Sequence, residues 1–226
     1  AMSGEQDIRK MGQLWSRIPH TARTFLIGCI AIAGIPPLSG FFSKDEILWM
    51  ALSSDKGIGH FPPLYAKALF FVGVLAATMT AFYMFRLFYL TFFGNKNIDH
   101  EAEHHLHESP KVMTTPLWIL AIGAIVAGYV GLPKLWFGES GNLWEHWLKP
   151  TLFKEVHESG HASAGLEWGA MLLSIAVAVL GIWIATKLYK QYSETPKRLA
   201  EKAGGLYRLV LDKYRVDELY SATVIG

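Results

Sequence analysis

Apolar positions along this chain gather into long unbroken runs instead of recurring at a helical or strand period. Four stretches carry no charge at all: Thr24 to Ser43, Ala68 to Phe85, Val112 to Pro133 and Trp168 to Thr186. A bilayer core about 30 Å thick is crossed by roughly 20 helical residues, so each run is close to or at membrane-spanning length. A soluble helical protein would need one small core to absorb all four. Continuous rather than alternating apolarity also excludes a closed membrane β-barrel. The pattern predicts an all-α membrane protein with about four transmembrane helices, near residues 22–53, 67–93, 112–133 and 166–188. Together these form a transmembrane region over residues 1–190.

The first span is unusual because it is predicted to be broken. From Thr24 to Ser54 the only charges are Lys44, Asp45 and Glu46, and about 31 residues in one straight helix would measure roughly 46 Å, too long for the bilayer. Pro36 and Pro37, with Gly34 and Gly40 beside them, remove helical hydrogen bonds, so the helix should stop near Gly34. Ser43, followed by Glu46 and then Ile47, Leu48 and Trp49, has the form of a capping box ahead of an apolar run. It predicts a restart at Ser43, with Asp45 and Glu46 in the first turn and Lys44 at a first position that disfavours a cation. Two readings of this segment stand. It is a pair of half-helices meeting at a buried joint, as in many transporters, or a span ending at Phe42 with a solvated border at SKDE and a short interfacial helix. In the first, Lys44 is a costly intramembrane charge balanced between desolvation and its acidic neighbours, suited to loading and releasing a proton.

Composition agrees with a membrane chain: 51% of residues are hydrophobic and 18% charged. The net charge of +2 and the absence of interleaved basic and aromatic residues give no reason to expect nucleic acid. Charge location is more informative. With the four runs as spans, one side holds 14 of the 21 Lys and Arg residues and the other Lys56, Lys67, Lys134, Lys149 and Lys154. The positive-inside rule then puts both chain ends in the cytoplasm. Arg86 lies near the cytoplasmic end of its span, where snorkelling is the default; facing a polar interior with Thr78, Thr80 and Tyr83 is the alternative.

Other chemistry is sparse. Cys29 is the only cysteine, which rules out a disulfide, thiolate zinc site or iron–sulfur cluster within the chain; packing is its expected role. His100, His104, His105 and His107, and the i, i+4 pair His157 and His161, read better as solvated polar loop than as a metal site, since no ligand pattern fixes a geometry. Trp136, Trp144 and Trp147 suit a membrane interface. No leader is visible in the polar opening residues, and that opening suggests a piece of a longer protein. Beyond Thr186 the chain turns basic, and Leu206, Leu209, Val210 and Tyr214 follow helical spacing. Residues 191–226 are therefore expected as a cytoplasmic-side amphipathic segment lying on the membrane surface, with a soluble tail as the alternative.

Several stretches together resemble a known family: GEQDIRKMGQL, TFLIGCIAIAGIPPLSGFFSKDEIL, MTAFYMFRLFYLTFFG, HESP and DKYRVDELY. In order and spacing they are similar to the last third of the antiporter-like membrane subunits of bacterial respiratory NADH:quinone oxidoreductase, complex I, with DKYRVDELY pointing to the subunit L family. The resemblance implies a discontinuous span followed by the start of a lateral helix. It also implies a role coupling quinone reduction, performed elsewhere, to proton movement. FFSKDE puts the family's protonatable lysine at Lys44 and its acidic neighbour at Asp45; Arg86 is a weaker candidate. No cofactor or metal is implied for this chain itself, while NADH, FMN, iron–sulfur clusters and quinone are implied for partner subunits. The implied partners are other membrane subunits, especially a neighbouring antiporter-like one, and the lipid of the bacterial inner membrane. Multisubunit sodium/proton antiporters and membrane-bound hydrogenases share the interrupted segment.

Overall fold

The computed structural model describes residues 5–54, 62–98, 103–133, 136, 138, 141–152, 164–190 and 194–225. Within them the chain is helical, with no strand beyond a single bridge between Gly131 and Asn142. The α-helices are α1 (Pro19–Ala33), α2 (Ser39–Ser53), α3 (Pro63–Phe92), α4 (Lys111–Val126), α5 (Leu143–Leu152), α6 (Ala164–Tyr189), α7 (Thr195–Leu211) and α8 (Val216–Tyr220).

Among the described residues three helices are long and apolar enough to cross a membrane: Leu64–Phe92, Lys111–Val130, in which a 3-10 turn extends α4, and Ala164–Tyr189. The remaining predicted span exists as two 15-residue pieces, α1 and α2, each about 22 Å long and too short to cross alone. The all-α membrane architecture with a discontinuous first span is therefore what the chain adopts.

Helix α6 packs lengthwise on α3, and small residues make this possible. Ala81, Ala178 and Ala185 are buried in the contact. A side-chain carbon at Gly181 would sit 2.6 Å from the Thr78 carbonyl oxygen, a close approach typical of helices that associate by packing in lipid. Elsewhere the molecule is apolar on the outside: Phe71, Leu75, Ile119, Leu120, Leu172 and Trp183 all face outward. Exposed apolar surface on this scale marks a membrane or partner face.

One end of the bundle is tied by loops. Trp15 donates its backbone N–H to the Phe92 carbonyl and packs on Phe88 and Phe93. The start of α1 has Pro19 at its first turn and no side-chain cap of its own. Glu108, 88 residues from His20, supplies one instead, accepting from the His20 N–H at 2.7 Å and the Thr21 hydroxyl at 2.7 Å. Burial alone would raise the Glu108 carboxyl pKa, but the Thr21 hydroxyl and the N–H groups of His20, Ser109 and Thr21 outweigh it and hold the group below its ordinary value. Replacing Glu108 with alanine should weaken the first turn of α1 by about 1 kcal/mol, the usual worth of a cap, read as faster amide exchange there. Because the folded carboxyl is the stronger acid, the native tie is intact above the ordinary value of 4.5. It fades as pH falls through the lowered one; equal exchange in both proteins at neutral pH would refute the cap.

The C-terminal segment departs in part from expectation. Leu206, Leu209 and Val210 lie uncovered on α7, as an amphipathic stripe requires. Tyr214 does not continue it, because Lys213, Tyr214 and Arg215 adopt positive φ and turn the chain out of the helix. Trp144 and Trp147 stack at 5.4 Å and stay exposed. Trp136, also exposed, packs one side against the rings of Phe41 and Phe42. Cys29 is buried in packing, with its Sγ 3.9 Å from the Met84 carbonyl.

Candidate functional site at the helix break

Helix α1 ends on Gly34, whose φ of 79° belongs to the left-handed region that glycine tolerates. The Gly34 N–H donates to the Ala31 carbonyl at 3.0 Å and the Ile35 N–H to the Ile30 carbonyl at 3.3 Å, the paired closure of a Schellman end. The stop is where glycine and proline chemistry predicted it.

The restart is not. Helix α2 begins at Ser39, with extended Leu38 before it and no side-chain cap. Ser43 already lies inside the helix, donating its hydroxyl to the Gly40 carbonyl at 3.3 Å, so the expected capping box at Ser43 and Glu46 is not used. Close packing accounts for the earlier start. Gly40, in the first turn of α2, lies so near the end of α1 that a side-chain carbon on it would be 1.9 Å from the Ala31 carbonyl oxygen. Lys44, Asp45 and Glu46 consequently fall in the second turn, not the first.

That placement changes what Lys44 does. Side chains on a helix lean toward its N-terminus, and from the second turn of α2 the lysine reaches back to α1. Its Nζ donates to the Ile32 carbonyl at 2.5 Å. The Schellman pair occupies the carbonyls of Ile30 and Ala31, and the ammonium takes the next one. A cation at a helix C-terminus is favoured by the dipole. Lys44 is half-buried, while Ile32 and Ile47 beside it face outward at 44% and 68% exposure.

Asp45 points elsewhere, since successive helical residues diverge by about 100°. It is 7% exposed and accepts from the Ser174 hydroxyl of α6 at 3.1 Å. Ser174 is seven residues, two helical turns, beyond Glu167 near the start of α6, or about 10 Å. The acid thus meets α6 two turns in from Glu167, and no continuous helix runs through Gly34 to Gly40. On its third side α2 borders an open groove of about 440 Å³, lined in part by Ser39, Ser43, Glu46, Asn142 and Trp144.

Arg86 is not brought to this site. Its guanidinium lies 5.3 Å from the Tyr189 ring at the last turn of α6. Leu48 of α2 meets α3 near Gly73, thirteen residues or roughly 20 Å away along the helix. Arg86 thus lies toward the end of the bundle that Tyr189 occupies. Among the described residues no group of three His, Cys, Asp or Glu side chains is placed to hold a metal ion; His100, His157 and His161 lie outside them. Sequence reasoning missed Ser174. Its signal was there, as one of only two hydroxyl residues, with Thr186, in the uncharged run from Trp168 to Thr186.

Comparison with known proteins agrees with this architecture. Residues 1–69 match the family model described as NADH:quinone oxidoreductase/Mrp antiporter, TM. Residues 70–214 match the family model for the C-terminal transmembrane segments of an NADH dehydrogenase (complex I) component. The chain is 37% identical to the NAD(P)H-quinone oxidoreductase chain 5 of Picosynechococcus, over 96% of this chain and 33% of that protein. It is 34% identical to the NADH-quinone oxidoreductase subunit L of Rickettsia bellii, over 98% and 32%. With the subunit L of Mycobacterium tuberculosis the identity is 39%, over 84% and 27%. The chain thus spans about a third of the length of the curated relatives it matches. The two family models meet inside α3, so their junction is not a structural boundary. On these matches the chain belongs to the antiporter-like membrane subunit family of NADH:quinone oxidoreductase, complex I.

Proposed function

We propose that this chain is part of a proton-translocating membrane subunit of NADH:quinone oxidoreductase, in which Lys44 takes up and releases the proton and the adjacent Asp45 is its charge partner through the field of a neighbouring carboxyl, not through an ion pair. One observation carries the reading: the ammonium of Lys44 rests on a helix-terminal carbonyl at a break between two half-helices, with a buried carboxyl on the next residue. Half-helix ends that offer carbonyls to a cation are a recurrent way to build an ion site inside a membrane. A neutral amine keeps two N–H groups, so the lysine can give up its proton and still donate to the same carbonyl.

Redox chemistry belongs to partner subunits, which carry NADH, FMN, iron–sulfur clusters and quinone; a chain with one buried cysteine offers no ligand set for a cluster. Other membrane subunits, including a neighbouring antiporter-like one, flank it in the bacterial inner membrane. Residues 1–190 form the transmembrane region, and residues 191–226 lead along the cytoplasmic side into a lateral helix. In support of cytoplasmic ends, the start of α1, the end of α3 and the loop before α4 meet at one end of the bundle through Trp15, Phe92, Thr21 and Glu108. Arg86 serves as an anchor at that end.

The test is Lys44→Ala in the full-length subunit of the assembled complex. Proton transport into sealed vesicles should fall a few-fold per NADH oxidised, with the complex still assembled; unchanged transport removes Lys44 from the mechanism. A second reading, a subunit of a sodium/proton antiporter or membrane-bound hydrogenase, is favoured by the antiporter share of the family that matches residues 1–69. Genes for redox subunits beside this one would decide against the antiporter.

A further inference from the structure

The Ser174 hydroxyl has one proton and two acceptors in range. Asp45 Oδ1 lies 3.1 Å away and the Met171 carbonyl, one turn back on α6, 2.9 Å away. One proton serves one acceptor at a time, so both contacts are satisfied together only when Asp45 is protonated and donates to Ser174 Oγ while the serine donates to Met171. We propose that Ser174 is the positioning residue that lets the buried Asp45 carboxyl exist in both protonation states.

While Asp45 is a carboxylate, Ser174 donates to Oδ1. When Asp45 takes up a proton, its new O–H donates to Ser174 Oγ, and the serine proton turns to the Met171 carbonyl. One proton enters, the serine never ionises, and no heavy atom moves. A carboxyl as buried as Asp45 facing a group without this freedom would lack a partner in one state, at the cost that buried polar groups incur.

Few other charges face Asp45. On α2, Lys44 and Glu46 adjoin it but point to α1 and to the open groove. On α6 the nearest charge is Glu167, two turns away, and its field reaches Asp45. Helix α3 has no charge between Lys67 and Arg86, and α1 none after Arg23. The hydroxyl is therefore the closest polar influence from another helix.

This inference rests on the proposed role of the break in proton transfer. Its test compares Ser174→Thr and Ser174→Val, side chains of one shape that differ by a hydroxyl, in the assembled full-length complex. Ser174→Thr should keep the native pH profile of proton transport. Ser174→Val removes both the donor to the charged form and the acceptor of the neutral one; because the bond to the charged form is the stronger, the profile should move to higher pH by about half a unit to one unit. Ser174→Ala, too small to disturb packing, must show the same shift even if the valine variant fails to assemble. If the alanine and threonine variants both follow the native profile, the inference is overturned. If Lys44→Ala is also silent, the proposed function falls with it; if Lys44→Ala impairs transport while Ser174→Ala does not, only the inference is lost.

Discussion

Replacing Gly40 with alanine is expected to dismantle the helix break and with it the assembled subunit. One methyl group is enough, because its carbon would lie 1.9 Å from the Ala31 oxygen and 2.9 Å from the Ala31 carbonyl carbon, both backbone atoms. Backbone cannot turn aside as a side chain does. Relief needs α1 and α2 to separate by more than an ångström, which also withdraws Ile32 from Lys44. Overpacking in a well-filled interior costs about 1–3 kcal/mol, and this site belongs at or above the upper end. Gly28→Ala is the matched control: it lies on α1 with nothing within 4 Å of its added carbon, and the change favours helix by up to about 1 kcal/mol. Yield of assembled complex and its thermal stability would be compared. Similar behaviour of the two variants would contradict the close approach of the half-helices.

Asp45→Asn should leave assembly intact and reduce proton transport more than Lys44→Ala does. Asparagine has nearly the same shape and still accepts from Ser174, so the packing of α2 on α6 survives. What disappears is the ability to hold or release a proton. The two residues differ in how they are held. Lys44 is half-buried, with Ile32 and Ile47 facing outward beside it, whereas Asp45 is 7% exposed and hydrogen-bonded across to Ser174 of α6, so its carboxyl is the harder of the two to replace. A positioned proton-transfer group typically contributes about 10²–10⁴ in rate, and with other routes in the whole complex a loss of roughly tenfold is a conservative reading of that range. Transport equal to that of the unaltered complex, in vesicles with matched NADH oxidation, would exclude Asp45 from the path.

How much of this could be read in advance depends on whether the cause was local. The end of α1 was legible because a left-handed glycine followed by two prolines stops a helix whatever surrounds it. The apolar runs were legible for the same kind of reason, since bilayer thickness acts on each span separately. The start of α2 was not, because Ser43 and Glu46 carry a real capping signal that a tertiary contact overrides, and the contact joins Gly40 to a residue on another helix. Ser174 is a similar case. Its hydroxyl stands out in an apolar run, but nothing in the spacing says that it faces Asp45, 129 residues away. Tyr214 keeps the period of an amphipathic helix and leaves it because three consecutive residues adopt positive φ, for which we have no physical account. The direction of Arg86 depended on where Tyr189 at the end of α6 came to rest.

The cap that Glu108 places on α1 has a further consequence. The helix carrying the carbonyl beneath Lys44 is held at its far end by a carboxylate from the loop between α3 and α4, 88 residues along the chain. A rigid rod of about 22 Å joins that exposed carboxylate to the half-buried ammonium. Any displacement of the loop, by a partner leaning on it or by acid, pulls on the rod at the same moment. The lysine is thereby exposed to events at the far end of the bundle without a residue of its own reaching there.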